Sequence, residues 1–234
     1  MTIRALVVTV LAFFGIKRNK PIVPKISIEE TCGKITVDPI EKDETGGNIS
    51  LQELHIISQI VKNEKPSTIF EIGTFNGRTT LNLDYFSPEG ASVYTLDLPK
   101  KDLEKAKFGI EEGDRKYVEK NTIGDRYQKK ANKIIQLYGD SATFDFSPYY
   151  GMIDIVFVDG AHSEPYAKND TEVAFKLLRN GGVILWHDYG VWRGVTKVLN
   201  AYYKHDTRCK GIRHIDGTSL VYYKNESEKH AHHG

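Results

Sequence analysis

From residue 49 onward, short apolar runs alternate with amphipathic stretches, and that alternation sets the architecture. Ser50 stands as an N-cap with Glu53 at the capping-box position, opening SLQELHIISQIVKN. Leu51, Leu54, Ile57 and Val61, with Ile60 beside them, make one face of a helix there, and His55 falls toward the opposite, solvated side. Residues 68–72 read as a buried strand and 79–85 as the helix that follows. Residues 92–97, 134–138, 153–159 and 182–186 read as further strands, with helices at 164–178 and 191–203. Strand and helix in turn at this spacing make βαβ units, hence a mainly parallel sheet covered on both faces. Residues 211–215, an Asp216-Gly217 turn and residues 218–223 close the pattern as an antiparallel β-hairpin.

Three segments break the alternation. Residues 21–48 carry Pro21, Pro24 and Pro39 and a Gly46-Gly47 pair, which predicts an irregular lead-in with one short strand. Residues 99–133 are too long for an ordinary strand-to-strand connection. Their charge-rich KKDLEKAKFGIEEGDRKYVEKN reads either as a solvated helix plus loop or as a cap that chooses the substrate. Residues 5–16, ALVVTVLAFFGI, are apolar, with Arg4 before them and Lys17, Arg18 and Lys20 after. The run is short for a membrane span, and basic residues rather than a small-x-small cleavage site follow it. Packing on the body or on a partner is therefore favoured over membrane contact, and both over cleaved export. The division expected is an extension over 1–48, one domain over 49–224 and a polar tail over 225–234. The tail's His230, His232 and His233 are assigned no metal.

Composition narrows the function class without choosing one. With 234 residues, 40% of them hydrophobic, the chain can bury a core, and disorder over its whole length is excluded. The 32 basic and 31 acidic side chains leave a net charge of +1, so no field of one sign marks a nucleic-acid binder. Cys32 and Cys209 are too few for a disulfide framework or a cysteine-rich zinc site. A reducing compartment, and so a cytoplasmic location, is the expectation, and homo-oligomerisation is left open.

The candidate chemistry lies where the strands end, because open α/β sheets bind ligands at the carboxyl ends of their strands. The first strand runs into Glu71-Ile72-Gly73-Thr74-Phe75-Asn76-Gly77, followed by Arg78, Thr79 and Thr80. Phe75 stands where a dinucleotide fingerprint has its second glycine, which disfavours a pyrophosphate, and Glu71 would repel one. An acid there suits an amino-bearing or cationic ligand. The second strand ends in Asp97, 20 residues after Gly77, where a carboxylate can take both ribose hydroxyls. Together they point to an adenosine ligand without phosphates. The later strands end in Gly139-Asp140-Ser141, Asp159-Gly160-Ala161-His162 and His187-Asp188-Tyr189. Carboxylates and imidazoles converging at one sheet edge suit a divalent cation.

EIGTFNG, VYTLDLP, YGDS and above all FVDGAHSEPYAKNDTEVAFKLLRNGGVILWHDY resemble class I S-adenosylmethionine-dependent methyltransferases. Within them the resemblance is to the small O-methyltransferases of the macrolide-sugar and catechol type, methyltransferase domain 24, and it covers about residues 49–224. It implies a Rossmann-like, doubly wound α/β fold with a mainly parallel seven-stranded sheet and the C-terminal antiparallel hairpin. It also implies S-adenosyl-L-methionine as cofactor, with Glu71, Gly73, Thr74, Phe75, Gly77, Thr79, Asp97, Leu98, Asp140, Ser141 and Asp159 around it. Glu71 and Gly73 would serve its methionine part, Asp97 the ribose, and Asp140 and Ser141 the adenine. In metal-dependent members the acids matching Asp159 and Asp188 hold Mg²⁺. His187 stands where some relatives have another acid.

The reaction so implied is displacement of the sulfonium methyl by a small-molecule hydroxyl, of a sugar or a phenol. An alcohol must first lose its proton to a base or be acidified by a metal. Asp159, His162 and His187 are the catalytic candidates. Mg²⁺ on Asp159 and Asp188 is the favoured route, and His162 or His187 is the base without it, by its natural pKa. A methyltransferase-like scaffold without activity and a nicotinamide-dependent oxidoreductase are the rivals. The row of acids argues against the first and Phe75 against the second.

Overall fold

The computed structural model describes residues 20–44, 46–120, 123–127 and 133–225. The apolar run at 5–16, parts of the 99–133 segment and nearly all of the C-terminal tail lie outside them. Among the described residues, eight strands form a single sheet: β1 (Lys25–Ile26), β2 (Thr68–Ile72), β3 (Ser92–Asp97), β4 (Ile134–Tyr138), β5 (Ile153–Val158), β6 (Leu178–Trp186), β7 (Arg213–Ile215) and β8 (Val221–Lys224). Their order is β1-β7-β8-β6-β5-β2-β3-β4, and only β8 runs against its neighbours. The sheet therefore has one strand more than the seven expected. The extra one is β1, the short strand of the proline-rich lead-in, which pairs in parallel with β7.

Six α-helices are described: α1 (Ile28–Cys32), α2 (Leu51–Glu64), α3 (Arg78–Phe86), α4 (Glu112–Lys120), α5 (Glu164–Leu177) and α6 (Arg193–His205). Alternation along the strands decides which residues meet which layer. Phe70, Ile72, Val156, Ile184 and Trp186 pack with the buried faces of α5 and α6. Ile69, Val93, Ile155, Phe157 and Leu185 pack with Leu54, Ile57, Ile60 and Val61 of α2. Among the described residues, no helix is long and apolar enough to cross a membrane.

The Ser50 capping box forms as the sequence predicts, and its glutamate has a second task. Glu53 Oε1 accepts the backbone N–H of Ser219 at 2.7 Å and the Ser219 hydroxyl at 2.8 Å, fixing the β7–β8 connection against α2. A Ser50→Ala variant should lose about 1 kcal/mol of stability. In a chain of this size that lowers Tm by roughly 2–4 °C in a thermal melt. An unchanged melt would mean that Glu53 holds the helix start through Ser219 alone.

The main boundary difference is β6, which begins at Leu178 rather than at residue 182. The register against β5 jumps from Ile153↔Leu178 to Ile155↔Val183, and Gly181 at φ 77° takes up the irregularity. Chain order and sheet order diverge between β2 and β5. The chain leaves β2 for β3 and β4 on one side, then returns to β5 on the other. This reversal is the crevice where open α/β sheets bind ligands.

Candidate active site

At that crevice the two strand ends approach as closely as backbone allows. Gly73 has φ 99°, and a Cβ added to it would lie 2.1 Å from the Asp159 carbonyl oxygen. Only glycine combines this dihedral with this approach. Phe75 adopts a left-handed φ of 51°, which turns its backbone N–H toward Asp97 Oδ2 at 2.7 Å. Leu98 N–H donates to Asp97 Oδ1, also at 2.7 Å. Both carboxylate oxygens are thus oriented by backbone while each keeps a lone pair for a ribose hydroxyl. Burial raises Asp97 to about 6 against the pull of these two donors.

Glu71 lies behind the glycine turn and is fully buried. Its Oε2 accepts the hydroxyls of Thr80 and, at 2.6 Å, Thr95. The Thr74 hydroxyl, 2.7 Å from that of Thr95, extends the chain to Gln136 and from there to Tyr127. Among the described residues Glu71 Oε1 has no hydrogen-bond partner. Burial pushes this carboxyl up to about 8 despite the two threonines. A buried acid with an unsatisfied oxygen is the fit expected for the ammonium group of a methionine moiety.

The other half of the crevice is a run of carboxylates and imidazoles. His187 Nδ1 lies 3.0 Å from Asp159 Oδ1 and 3.2 Å from Asp188 Oδ2, and its Nε2 lies 3.4 Å from Glu53 Oε2. His162 Nδ1 lies 2.5 Å from Asp114 Oδ1, its Nε2 lies 2.6 Å from Asp188 Oδ2, and Trp192 stacks on its ring at 4.5 Å. Burial works to lower both imidazoles, yet the facing carboxylates outweigh it. His162 rises to about 10, through Asp114 and Asp188, and His187 well above its ordinary value, through Asp159 and Asp188. Neither ring keeps the near-neutral pKa that recommended it as a base, because acids flank both of its nitrogens. Asp188 is held well below the usual carboxylate range, since the two imidazoles overcome its burial. Burial raises Asp159 against the pull of His187. The left-handed φ of 65° at Asp188, unusual outside glycine, marks a backbone held by its surroundings.

The two halves open onto one cleft of about 270 Å³. Gly73, Thr74, Phe75, Thr79, Asp97, Leu98, Asp140, Ser141, Asp159, His162, His187 and Asp188 all line it. Two candidates do not. Glu71 sits beneath the floor, and Gly77 packs under the Tyr127 ring. Asp140 accepts the backbone N–H groups of Ala142 and Lys107 at 2.9 and 2.8 Å, so it also fastens the start of the 99–133 segment. Among its described residues, part of that segment lies over the cleft. Ile110, Asp114, Tyr117 and Val118 line the cleft, and Tyr117 meets Phe75 edge-on at 5.5 Å. Sequence reasoning missed Asp114, which no local pattern separates from Glu111 and Glu112. It assigned Glu53 to helix capping alone and passed over Thr80 and Thr95.

Carboxylates outnumber imidazoles four to two in the cluster of Glu53, Asp114, Asp159, Asp188, His162 and His187, which favours a bound cation. Asp159, His162 and Asp188 can each offer one ligand atom, all within 4.8 Å of one another, so the residues present fit a divalent ion.

The sequence profile of a family described as Methyltransferase domain matches residues 70–189. No curated protein matches the chain. Among solved structures, the O-methyltransferase NovP superposes with a TM-score of 0.59 at 14% identity, over 76% of this chain and 81% of that one. The S-adenosylhomocysteine-bound methyltransferase PaMTH1 of Podospora anserina gives 0.55 at 16% identity, over 97% and 98%. The O-methyltransferase TomG of Streptomyces achromogenes, in complex with S-adenosylmethionine, gives 0.52 at 15%, over 94% and 96%. At these identities the superpositions speak for the fold. The profile spans β2 through Asp188, the stretch that supplies both halves of the cleft, and on it the chain belongs to the methyltransferase-domain family.

Proposed function

We propose that this chain transfers a methyl group from S-adenosyl-L-methionine to a hydroxyl of a small molecule, a sugar or a phenol. The observation that carries this reading is the shared cleft. The backbone-oriented Asp97 in the cleft and the unsatisfied Glu71 beneath its floor suit the cofactor, and they adjoin the acid–imidazole cluster across the Gly73–Asp159 contact. Methylation at oxygen fits the carboxylates, which can take a hydroxyl proton, and it is the chemistry named for NovP and TomG. In the step, a substrate oxygen forms a bond to the methyl carbon as the carbon–sulfur bond breaks. The bonding pair stays on sulfur, giving S-adenosylhomocysteine.

Asp159 is assigned the hydroxyl proton, since its burial raises its affinity for one. His162 and His187, held protonated by the acids around them, stabilise the charge that develops on the substrate oxygen. Alternatively, with the His162 proton displaced, Asp159 and Asp188 with His162 would hold a divalent ion, whose contribution would be to acidify the hydroxyl in place of a base. Tyr117, Ile110 and Val118 of the cap exclude water from the acceptor side.

The test is calorimetric titration with S-adenosylhomocysteine as a function of pH. Glu71 titrates near 8 in the free protein, and an ammonium group placed beside it favours the carboxylate, so binding below that pH expels a proton. Affinity should therefore rise between about pH 5 and 8 and level off above, by up to tenfold per pH unit. Heats measured in buffers of different ionisation enthalpy should show about one proton released at pH 7. The same shift gives the free protein the opposite trend. Its native state holds a proton that the unfolded chain loses near 4.5, so stability declines as pH rises from there toward 8. A folded chain that takes up no S-adenosylhomocysteine would sink the reading.

A further inference from the structure

Most residues of α4, EGDRKYVEK, are charged, and Tyr117 and Val118 are its only apolar side chains. The helix therefore lacks the apolar stripe that ordinarily holds a surface helix to its domain. Among residues 112–119, Asp114 alone is buried, at 6% exposure. An aspartate goes under the surface when it is paired, and this one gives both oxygens to a single residue. Its Oδ1 lies 2.5 Å from His162 Nδ1, and its Oδ2 accepts the His162 backbone N–H at 2.9 Å. On the far side of the ring, Nε2 meets Asp188 Oδ2 at 2.6 Å. The imidazole thus joins α4 to the end of β6.

The residue before Asp114 serves the same docking. A Cβ on Gly113 would lie 2.4 Å from Trp192 Cη2, closer than a side chain allows. Glycine weakens a helix, but here it lets α4 rest on the indole, which itself stacks on His162 at 4.5 Å and within 11° of parallel. Gly113 and Asp114 so seat the first turn of α4 on one pair of rings, beside the strand ends that carry Asp159 and Asp188. Building on the O-methyltransferase reading, we infer that Asp114 is a positioning residue of the reaction: through His162 it latches α4 over the cleft, so that the helix closes only onto an imidazole already set against Asp188. Closure of α4 and assembly of the acid–imidazole cluster are then one event. Water is shut out of the cleft when the ring that stabilises the developing charge stands in place.

The experiment is amide hydrogen exchange on the full chain saturated with S-adenosylhomocysteine, read over α4. Asparagine keeps the shape of Asp114 but offers one acceptor oxygen to two N–H donors, and its NH₂ then faces the second. Asp114→Asn should speed exchange of the α4 amides by about 10–100-fold, the loss expected for a hydrogen bond to a charged group. His162→Ala should speed it by a similar factor. In the His162→Ala background the asparagine oxygen suffices for the backbone N–H that remains, so adding Asp114→Asn should cost no more than about threefold. An acid that merely favoured the dipole at the start of α4 would speed exchange equally in both backgrounds, and that result overturns the inference. So does α4 exchange that neither variant moves. Unchanged exchange in β2 and β5 certifies the fold of each variant, and His162→Gln replaces His162→Ala in the cycle if the alanine chain fails that check. A chain that takes up no S-adenosylhomocysteine removes the methyltransferase reading, and exchange of the free chain still decides whether Asp114 holds α4 through His162.

Discussion

Asp159→Ala should lower methyl transfer by about 10³-fold, within the range for loss of a positioned proton acceptor, while S-adenosylhomocysteine binds nearly as before. Three roles meet in this carboxylate. It is the assigned acceptor of the hydroxyl proton, it holds His187 at 3.0 Å, and it offers one of the three metal-ligand atoms. The contact that shapes the cofactor turn runs instead through the Asp159 backbone carbonyl, which alanine retains. The effect should therefore fall on turnover and spare cofactor affinity. Initial rates with labelled S-adenosylmethionine, on whichever hydroxyl compound the wild type methylates, measure the first, and calorimetry measures the second. Asp159→Asn separates charge from shape. It keeps a group that can contact His187 but cannot take the proton, so its rate should stay close to that of the alanine variant. Near-normal turnover in either variant would move the acceptor role away from Asp159.

Gly73→Ala is expected to damage fold and cofactor site together. Its Cβ would meet the Asp159 carbonyl oxygen at 2.1 Å and the Gly160 nitrogen at 2.9 Å, both backbone atoms that cannot swing aside. The φ of 99° adds strain for any side chain. Overpacking and backbone strain of this kind cost about 3 kcal/mol together, a fall of roughly 10 °C in Tm for a chain of this length. Relief requires the ends of β2 and β5 to move apart, which displaces Glu71 and Phe75 from the cofactor. S-adenosylhomocysteine affinity should drop by more than tenfold as a result. A Gly73→Ala chain that melts and binds like the wild type would show that the two strand ends do not approach so closely in solution.

Much of this molecule is legible without coordinates. Period-two and period-3.6 patterns identify the strands and helices of residues 49–224, because a residue that must face a core repeats with the geometry of its element. Thr68–Ile72 and Ile153–Val158 appear as apolar runs since both faces of a parallel sheet are covered. The candidate site is legible for a related reason. Glu71, Asp97, Asp140, Asp159 and Asp188 each fall where a strand ends, and parallel strands bring those ends to one edge. Boundaries were less secure at β6, where local pattern favours a start at residue 182. Pairing with β5 and the left-handed Gly181 extend the strand back to Leu178.

Distances across the chain were another matter. Asp114 looks like any acid of a charged helix until α4 folds over the sheet and sets its carboxylate against His162. Glu53 satisfies a capping box completely, and nothing local announces that its oxygens also reach Ser219 and His187. The lead-in's extra strand depends on β7, nearly 190 positions later. The protonation states turn on the same contacts. A histidine in sequence has an ordinary near-neutral pKa, and the carboxylates that move His162 and His187 away from it are, apart from Asp188 next to His187, remote in the chain. Periodicity and strand-end chemistry are local and survive in one dimension. Electrostatic coupling depends on separations of a few ångströms between segments, which folding alone supplies.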